Sequence, residues 1–243
     1  MNKTLDPNSF TPLYHQLKEL LKEKIESGEW VPGDLVPSEN KLQQQFNISR
    51  NTAKKALDDL VQEGILKRVQ GKGTFVSTPK IEQSLKGFYS FSKVMEAKGL
   101  QPKDIILGLG LEEAKPGIAK RLEVPAGTTV IALKRLRCAG EEPIILETSY
   151  LPQQIAPDLT ESKLEKNSLY DILEKDYGIF VTKAKEVFEP VLIRDYESKY
   201  LQVREGYPAL LLDRIAYEAN GDVVEFCRSI VRGDRCRFYT ELL

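Results

Sequence analysis

The sequence predicts an α+β protein in two parts, in which a helical N-terminal part ends in a hairpin and a longer part is built mainly from antiparallel strands. Three observations support this class. Apolar residues recur at helical spacing over residues 13–61, and a glycine-rich hairpin follows at 65–76. Strand-like runs then alternate with short helices from residue 104 onward. A chain of 243 residues is long enough for two such parts, each with its own core.

Composition excludes several classes of protein. With 41% hydrophobic residues, 29% charged residues and a formal net charge of −1, the chain is typical of a globular protein. No stretch approaches the roughly 18 uncharged apolar residues of a membrane span, and no apolar segment resembles a secretory signal, so we expect a cytoplasmic protein without membrane partners. The three widely spaced cysteines (Cys138, Cys227 and Cys236) fit buried thiols in a reducing compartment. The single histidine, His15, is far from them, so we expect no metal site.

The N-terminal part is predicted to contain three helices. Leucines at helical spacing predict the first helix between Leu13 and Ile25, and Gly28 ends it. Two serines that can act as N-caps, Ser38 and Ser49, precede the second and third helices.

A β-hairpin follows the third helix, which ends at Gly64. Strands at 65–69 and 74–76 enclose a tip made of Gln70, Gly71, Lys72 and Gly73. The predicted order is helix, helix, short turn, helix and β-hairpin. This is the order of a winged helix-turn-helix.

A linker is expected at 77–84, where Pro79 lies among polar residues, which gives domains at 1–76 and 85–243. In the second domain the predicted strands are 104–111, 130–138, 144–151, 185–193, 209–219, 223–231 and 236–242. The predicted helices are one that carries Phe88, Phe91, Val94 and Met95 and ends at Gly99, and those at 116–122, 168–177 and 195–201. Short turns, including the hairpin signal Asn220-Gly221, imply a mostly antiparallel sheet with helices.

The third helix has features of a helix that reads DNA. Arg50, Asn51, Lys54 and Lys55 lie near its N-terminus on one side, and its acidic residues come later. Basic and amide groups at that end suit entry into a major groove. Residues 48–76 hold six basic and three acidic residues, so the local charge favours DNA. A solvated amphipathic helix would show the same pattern, and for the helix alone both interpretations remain open.

The hairpin tip is a second feature that suits DNA. Gly71 and Gly73 flank Lys72 and leave almost no side-chain bulk, so the backbone can approach a narrow minor groove. A purely structural hairpin needs one or two glycines but not the neighbouring basic residues Lys67 and Arg68.

One strand of the second domain carries two arginines on an apolar face. Period-two alternation places Arg135 and Arg137 on the same face as Ile131 and Leu133. Buried guanidinium groups need an anionic partner. That partner is either an internal carboxylate, such as Glu147 on the next strand, or a phosphate or carboxylate ligand.

The first domain contains five distinctive short motifs: Pro12-Leu13-Tyr14, Gly28-Glu29-Trp30, Pro37-Ser38-Glu39, Ile48-Ser49-Arg50-Asn51-Thr52 and Gly71-Lys72-Gly73-Thr74-Phe75-Val76. Together they resemble the DNA-binding domain of the GntR family of bacterial transcription regulators. The DNA-contacting residues expected from the helix and from this resemblance are Ser38, Asn40, Ser49, Arg50, Asn51, Thr52, Lys54, Gly71, Lys72 and Gly73. The family often has arginine at the positions of Asn40 and Lys54, and lysine lacks the bidentate fork that reads guanine.

A second set of motifs continues to the end of the chain: residues 85–92, Arg135-Leu136-Arg137, residues 147–152, Ser168-Leu169-Tyr170-Asp171 and residues 232–235. They resemble a UTRA domain, the effector-binding module of the HutC subfamily, whose fold is similar to chorismate lyase. In relatives that respond to amino-sugar phosphates, the phosphate meets residues that match Phe91, Ser92, Arg135, Arg137, Ser168 and Tyr170, and carboxylates that match Glu147 and Glu225 hold the sugar. Val231 stands where tyrosine is common, which suggests a different ligand.

These observations predict a DNA-binding transcription regulator, a repressor released from an inverted-repeat operator by a small phosphorylated sugar. Resemblance implies a homodimer, and we expect neither enzyme activity nor a cofactor. One alternative is an enzyme that uses Glu147 or Glu225 as acid or base, although the second domain lacks histidine. Another is a DNA-organising protein without a ligand, against which the paired arginines argue.

Overall fold

The structure is a computed structural model that describes residues 5–69, 71–78, 80–85 and 91–241. Internal contacts divide the chain into two units, Met1–Lys80 and Ile81–Leu243. Within the described ranges, no helix is long and apolar enough to cross a membrane.

The first unit consists of three helices and a small antiparallel sheet. Its elements are α1 (Leu13–Glu26), β1 (Leu35–Val36), α2 (Glu39–Phe46), α3 (Arg50–Gln62), β2 (Leu66–Val69) and β3 (Gly73–Val76). The strand order is β1-β3-β2. β1 was not predicted, because two residues are too few to give a periodic pattern. Leu17, Leu57 and Leu60 are buried in the core that joins α1, α3 and the sheet.

The predicted N-caps of α2 and α3 are confirmed. Ser38 Oγ accepts a hydrogen bond from the backbone N–H of Lys41 at 3.4 Å, and Ser49 Oγ accepts one from that of Thr52 at 3.1 Å. These bonds satisfy backbone donors that have no partner within the helix. The cap at Ser49 therefore places Arg50 in the first turn of α3.

The second unit is a large antiparallel sheet with helices. Its elements are β4 (Ile81–Ser84), α4 (Phe91–Ala97), β5 (Pro102–Glu113), α5 (Pro116–Leu122), β6 (Thr129–Ala139), β7 (Glu142–Pro152), a 3-10 turn (Gln153–Ile155), α6 (Glu161–Leu164), α7 (Leu169–Tyr177), β8 (Val181–Leu192), α8 (Asp195–Leu201), β9 (Pro208–Glu218), β10 (Val223–Arg232) and β11 (Cys236–Tyr239). Six strands form one sheet in the order β5-β6-β7-β10-β9-β8, and every neighbouring pair is antiparallel. This confirms the predicted α+β class.

The expected linker at 77–84 was too long. Ile81–Ser84 forms β4, because it pairs in parallel with β11 near the end of the chain and buries Ile81 and Gln83. A pairing partner more than a hundred residues away leaves no local pattern in the sequence. Three parts of the predicted motifs lie outside the described residues: Gln70 of the hairpin tip, Pro79 of the linker and residues 86–90.

α7 packs on one face of the large sheet. Leu133 of β6 and Leu169 and Leu173 of α7 share one core cluster and are almost completely buried. Because β6 alternates, Arg135 and Arg137 continue along that same face. The three cysteines are buried as free thiols, as predicted.

Candidate functional site

The second unit contains a pocket on the face of the sheet that α7 covers. It encloses about 780 Å³, including the solvent at its mouth. Strands β6, β7, β9 and β10 contribute lining residues, together with α4, α7 and the β4–β11 pair.

Seven of the eight predicted effector-binding residues line this pocket: Phe91, Arg135, Arg137, Glu147, Ser168, Tyr170 and Glu225. The eighth, Ser92, accepts a hydrogen bond from Nη2 of Arg137 at 3.1 Å. The structure therefore brings together residues that are as much as 134 positions apart in the sequence.

The two arginines have internal carboxylate partners. Arg137 Nε donates to Asp104 Oδ1 at 3.0 Å, and Arg135 Nη1 donates to Asp104 Oδ2 at 3.5 Å. Arg135 Nη2 also donates to Oε1 of Glu147, and Arg137 Nη1 lies 3.7 Å from that oxygen. Strand register produces these pairs, since Glu147 is directly opposite Arg135 and Asp104 is opposite Arg137. The predicted Arg135–Glu147 pair is thus present, and both arginines also line a pocket.

Electrostatics favour the ionised forms of Arg135 and Glu147. Burial opposes the charge on Arg135, but Glu147 and Asp104 outweigh it and raise the pKa of Arg135. Burial likewise opposes the charge on Glu147, but the arginines, Arg135 first, hold the pKa of Glu147 below its usual value. The guanidinium of Arg137 lies over the ring of Phe91, 4.5 Å from its centroid.

The first turn of α7 brings hydroxyl groups to the pocket. Tyr170 donates a hydrogen bond to Oε2 of Glu225 at 2.5 Å. Burial, and then the charge of Glu225, raise the pKa of Tyr170 well above its usual value. Ser168 caps α7 by accepting from the backbone N–H of Asp171 at 3.3 Å, and its hydroxyl donates to the Asp171 carboxylate at 2.6 Å.

Sequence reasoning missed two charged residues at this site, Asp104 and Arg214. Arg214 lines the pocket, and its Nε lies 2.7 Å from Oε1 of Glu186 on the neighbouring strand. Arg214 could have been found, because it shares one face of a predicted strand with the apolar residues Leu212 and Ala216. Asp104 gave no such indication, because only the pairing of β5 with β6 places it beside the arginines.

Val231 does not line the described pocket. It is fully buried in a cluster with Ile145 and Leu212. Ile145 and Leu212 do line the pocket, so Val231 lies behind its wall, and the different ligand suggested by this position stays a prediction.

The residues predicted to contact DNA lie on the surface of the first unit. Exposed side chains or backbone are found at nine of them: Ser38, Asn40, Ser49, Arg50, Asn51, Lys54, Gly71, Lys72 and Gly73. Thr52 is half-buried, and its Oγ1 lies 2.8 Å from Oγ of Ser49.

Glu39 connects the start of α3 with the hairpin. Arg50 Nε donates to Glu39 Oε2 at 3.3 Å, and Arg68 Nη2 donates to Glu39 Oε1 at 3.4 Å. Arg68 also pairs with Asp58 of α3 at 2.7 Å. The arginine expected to read DNA is thus partly neutralised by a carboxylate of α2.

The two hairpin glycines face different constraints. Gly73 has φ +124°, and a Cβ added there would lie 2.8 Å from Cδ1 of Leu35. Gly71 has φ +73°, with no atom within 4 Å of an added Cβ. Glycine at 73 is therefore favoured by its backbone conformation, and a side chain there would also have to displace the tip of the exposed Leu35.

Comparison with known proteins covers both units. Residues 13–76 match the description "Bacterial regulatory proteins, gntR family", and residues 97–237 match "UTRA domain". The transcriptional repressor NagR of Bacillus subtilis is 36% identical over 96% of this chain and 96% of its own length. The histidine utilization repressor of Pseudomonas aeruginosa is 32% identical over 84% of this chain and 80% of its own. The crystal structure of PhnF from Mycobacterium smegmatis is 30% identical, covers 95% of this chain and 98% of that chain, and superposes with a TM-score of 0.66.

These matches agree with the two units of the fold. The GntR match lies within the unit that contains α3 and the hairpin, and the UTRA match lies within the unit that contains the pocket. The chain belongs to the GntR family of bacterial transcription regulators, in the HutC subfamily whose winged helix-turn-helix is followed by a UTRA domain.

Proposed function

We propose that this regulator represses transcription from an inverted-repeat operator and that a small phosphorylated sugar releases it. One observation carries the proposal: paired arginines line the same pocket as carboxylate and hydroxyl groups. Guanidinium groups suit phosphate oxygens, whereas carboxylates accept hydrogen bonds from sugar hydroxyl or ammonium groups.

The phosphate is assigned to the arginine side of the pocket. Nε of Arg135 is buried and has no hydrogen-bond partner among the described residues, so a ligand oxygen that reached it would satisfy a costly vacant donor. Ser168, Leu169 and Tyr170 also line the pocket, which puts the N-terminus of α7 at its wall. Backbone N–H groups at a helix N-terminus favour anions.

The sugar is assigned to the acidic and hydroxyl-bearing side chains. Glu225 and Ser229 are almost fully buried and line the pocket beside Tyr170. Met95 and Leu212 supply apolar surface for the carbon face of a sugar ring. A pocket with few polar groups among apolar ones is typical of a small-molecule site.

Release from DNA follows from linkage. The ligand weakens operator binding if it prefers a dimer geometry in which the two recognition helices no longer match both half-sites. By linkage, bound DNA then weakens ligand binding by the same factor. A two-fold homodimer reading an inverted repeat is the arrangement that the family resemblance implies. Arg137 contacts Phe91 and Ser92 of α4, so ligand binding at Arg137 acts on the first helix described in the second unit.

A carboxylate effector is the second candidate. Two arginines accept either anion, and the name of one relative, the histidine utilization repressor, associates it with an amino acid that carries a carboxylate.

Release of DNA tests the proposal. A fragment selected by the protein from a random DNA pool is labelled, and its fluorescence anisotropy is followed as ligands are added. Amino-sugar phosphates should release the fragment, whereas the unphosphorylated sugars should not. Release by carboxylates alone would favour the second candidate, and no release by either class would contradict ligand control.

Variants of two arginines test whether the ligand acts on DNA release through this pocket. Arg137→Ala should bind the fragment normally and fail to respond. Arg228→Ala is the matched control, because Arg228 pairs with Asp213 outside the pocket and should respond as the unmodified protein does. A normal response of Arg137→Ala would remove this arginine from the effector site.

A further inference from the structure

The four charged side chains at the arginine side of the pocket form a cluster without formal net charge. Asp104 bridges Arg135 and Arg137 through its two oxygens, and Glu147 contacts both arginines through a single oxygen. All four side chains are at most 18% exposed, so solvent screens them weakly.

Among the lining residues that the structure describes, the remaining charges give no excess of positive charge. Arg214 is paired with Glu186, so its charge is also balanced by a carboxylate. Glu225 accepts its hydrogen bond from a neutral hydroxyl, that of Tyr170, and so adds a negative charge to the lining. An anion that enters the pocket therefore meets arginines whose charge carboxylates already compensate.

This balance has a consequence for ligand choice. A bare anion gains from the guanidinium donors but is repelled by Asp104 and Glu147, so its net gain is small. A phosphorylated sugar carries ring hydroxyls that add hydrogen bonds to lining groups such as Glu225 and Ser229, and inorganic phosphate lacks these ring hydroxyls.

We propose that the charge of Asp104 lowers the affinity of the two arginines for any anion, so that inorganic phosphate and other bare anions do not occupy the pocket, whereas an effector with additional sugar contacts does. The proposal rests on the assignment of a phosphorylated sugar as effector. Asp104 differs from Glu147 in two ways: it bridges both arginines from the edge strand β5, and it is not among the lining residues. Its charge therefore acts on the anion through the arginines and across space, without contact to the sugar.

Calorimetric titration of the full chain in a phosphate-free buffer tests this role. Inorganic phosphate, glucosamine 6-phosphate and N-acetylglucosamine are titrated into the unmodified protein and into Asp104→Asn, which keeps an oxygen to accept from Arg137. Removal of one nearby charge should tighten both phosphates by about tenfold and leave the neutral sugar unchanged. Asp213→Asn is the matched control, since Asp213 also contacts two arginines, Arg121 and Arg228, but lies outside the pocket.

The outcomes separate this role from the proposed function. If the unmodified protein binds glucosamine 6-phosphate and Asp104→Asn binds inorganic phosphate no more tightly, the role of Asp104 is wrong. Weaker binding of both phosphates by Asp104→Asn also contradicts it, because Asp104 then only positions the arginines. If no sugar phosphate binds the unmodified protein while Asp104→Asn still gains phosphate affinity, the proposed effector is wrong and the charge effect holds. Asp104→Ser should reproduce the gain if the asparagine variant folds poorly.

Discussion

The Tyr170 hydroxyl donates a hydrogen bond of 2.5 Å to Glu225, which joins the first turn of α7 to strand β10 across the pocket. The raised pKa of Tyr170 keeps this hydroxyl protonated, and therefore a donor, at physiological pH. Glu225 is only 2% exposed, so its carboxylate depends on partners within the protein. The pair is thus both a structural contact and part of the proposed sugar-binding surface.

Replacing Tyr170 with phenylalanine should destabilise the second unit. The change leaves a buried carboxylate without one donor, which costs about 1–3 kcal/mol of unfolding free energy. Urea denaturation followed by circular dichroism measures the loss. Tyr239→Phe is the control, because Tyr239 is 43% exposed and should change stability little. Equal stability of the two variants would contradict a structural role for the Tyr170–Glu225 bond.

The stability of the protein should depend on pH through Glu147. Because the arginines lower the pKa of Glu147, its ionised form stabilises the fold above the usual carboxyl pKa, and this contribution is lost as the pH falls through the lowered value. The unfolding free energy of Glu147→Gln, measured in urea from neutral pH to about pH 3, should therefore fall less steeply than that of the unmodified protein. The exposed Glu165→Gln should not change the slope. Identical slopes for Glu147→Gln and the unmodified protein would show that Glu147 is not the linked group.

Arg50 is expected to carry a base or phosphate contact from the first turn of α3. Arg50→Ala should therefore cost about 1–3 kcal/mol of specific DNA binding, measured by anisotropy on the selected fragment. Lys22→Ala, on α1, is the control. An unchanged affinity for Arg50→Ala would exclude Arg50 from readout.

Glu39 should weaken non-specific DNA binding. It pairs with Arg50 and Arg68, so DNA phosphates compete with Glu39 for these arginines. Glu39→Gln should bind random-sequence DNA more tightly and with a steeper dependence on salt, because Arg50 loses its carboxylate partner and Arg68 keeps Asp58 but loses Glu39. If both the affinity and the salt slope stay the same, the two arginines do not contact phosphate.

The hairpin glycines should respond differently to alanine. Gly71→Ala should cost about 1–2 kcal/mol of stability for its left-handed backbone alone. Gly73→Ala should cost more, since its φ of +124° lies farther from the left-handed helical region and its Cβ also meets the tip of Leu35, and Leu35→Ala should recover the part of the loss that this contact causes. Thermal unfolding of the single and double variants measures this. The absence of any recovery would show that the Leu35 contact does not constrain the hairpin.

Local patterns predicted most of the fold. The N-caps at Ser38 and Ser49 and the alternation that puts Arg135 and Arg137 on a buried face depend on neighbouring residues only, so they could be inferred from the sequence. Pairings between distant segments could not. The parallel contact of β4 with β11 depends on long-range register.

The candidate site was predictable to a similar extent. The strand pattern predicted Arg135, Arg137 and the pairing with Glu147, and the family resemblance alone supplied the other four predicted lining residues. Asp104 was missed because β5 precedes β6 by a helix and a turn, so that nothing local indicates its partner. Arg214 was missed although its alternation with apolar neighbours was visible.

Thermal unfolding with a panel of ligands tests the central claim most directly. The panel contains sugar phosphates, the corresponding free sugars and small carboxylates, and it is applied to the unmodified protein and to Arg137→Ala. A ligand at a hundredfold excess over its Kd stabilises the native state by about 2.7 kcal/mol. We expect a rise in Tm with sugar phosphates only, and we expect Arg137→Ala to abolish it. An equal rise with the free sugars, or a rise that persists in Arg137→Ala, would contradict the assignment of the phosphate to the paired arginines.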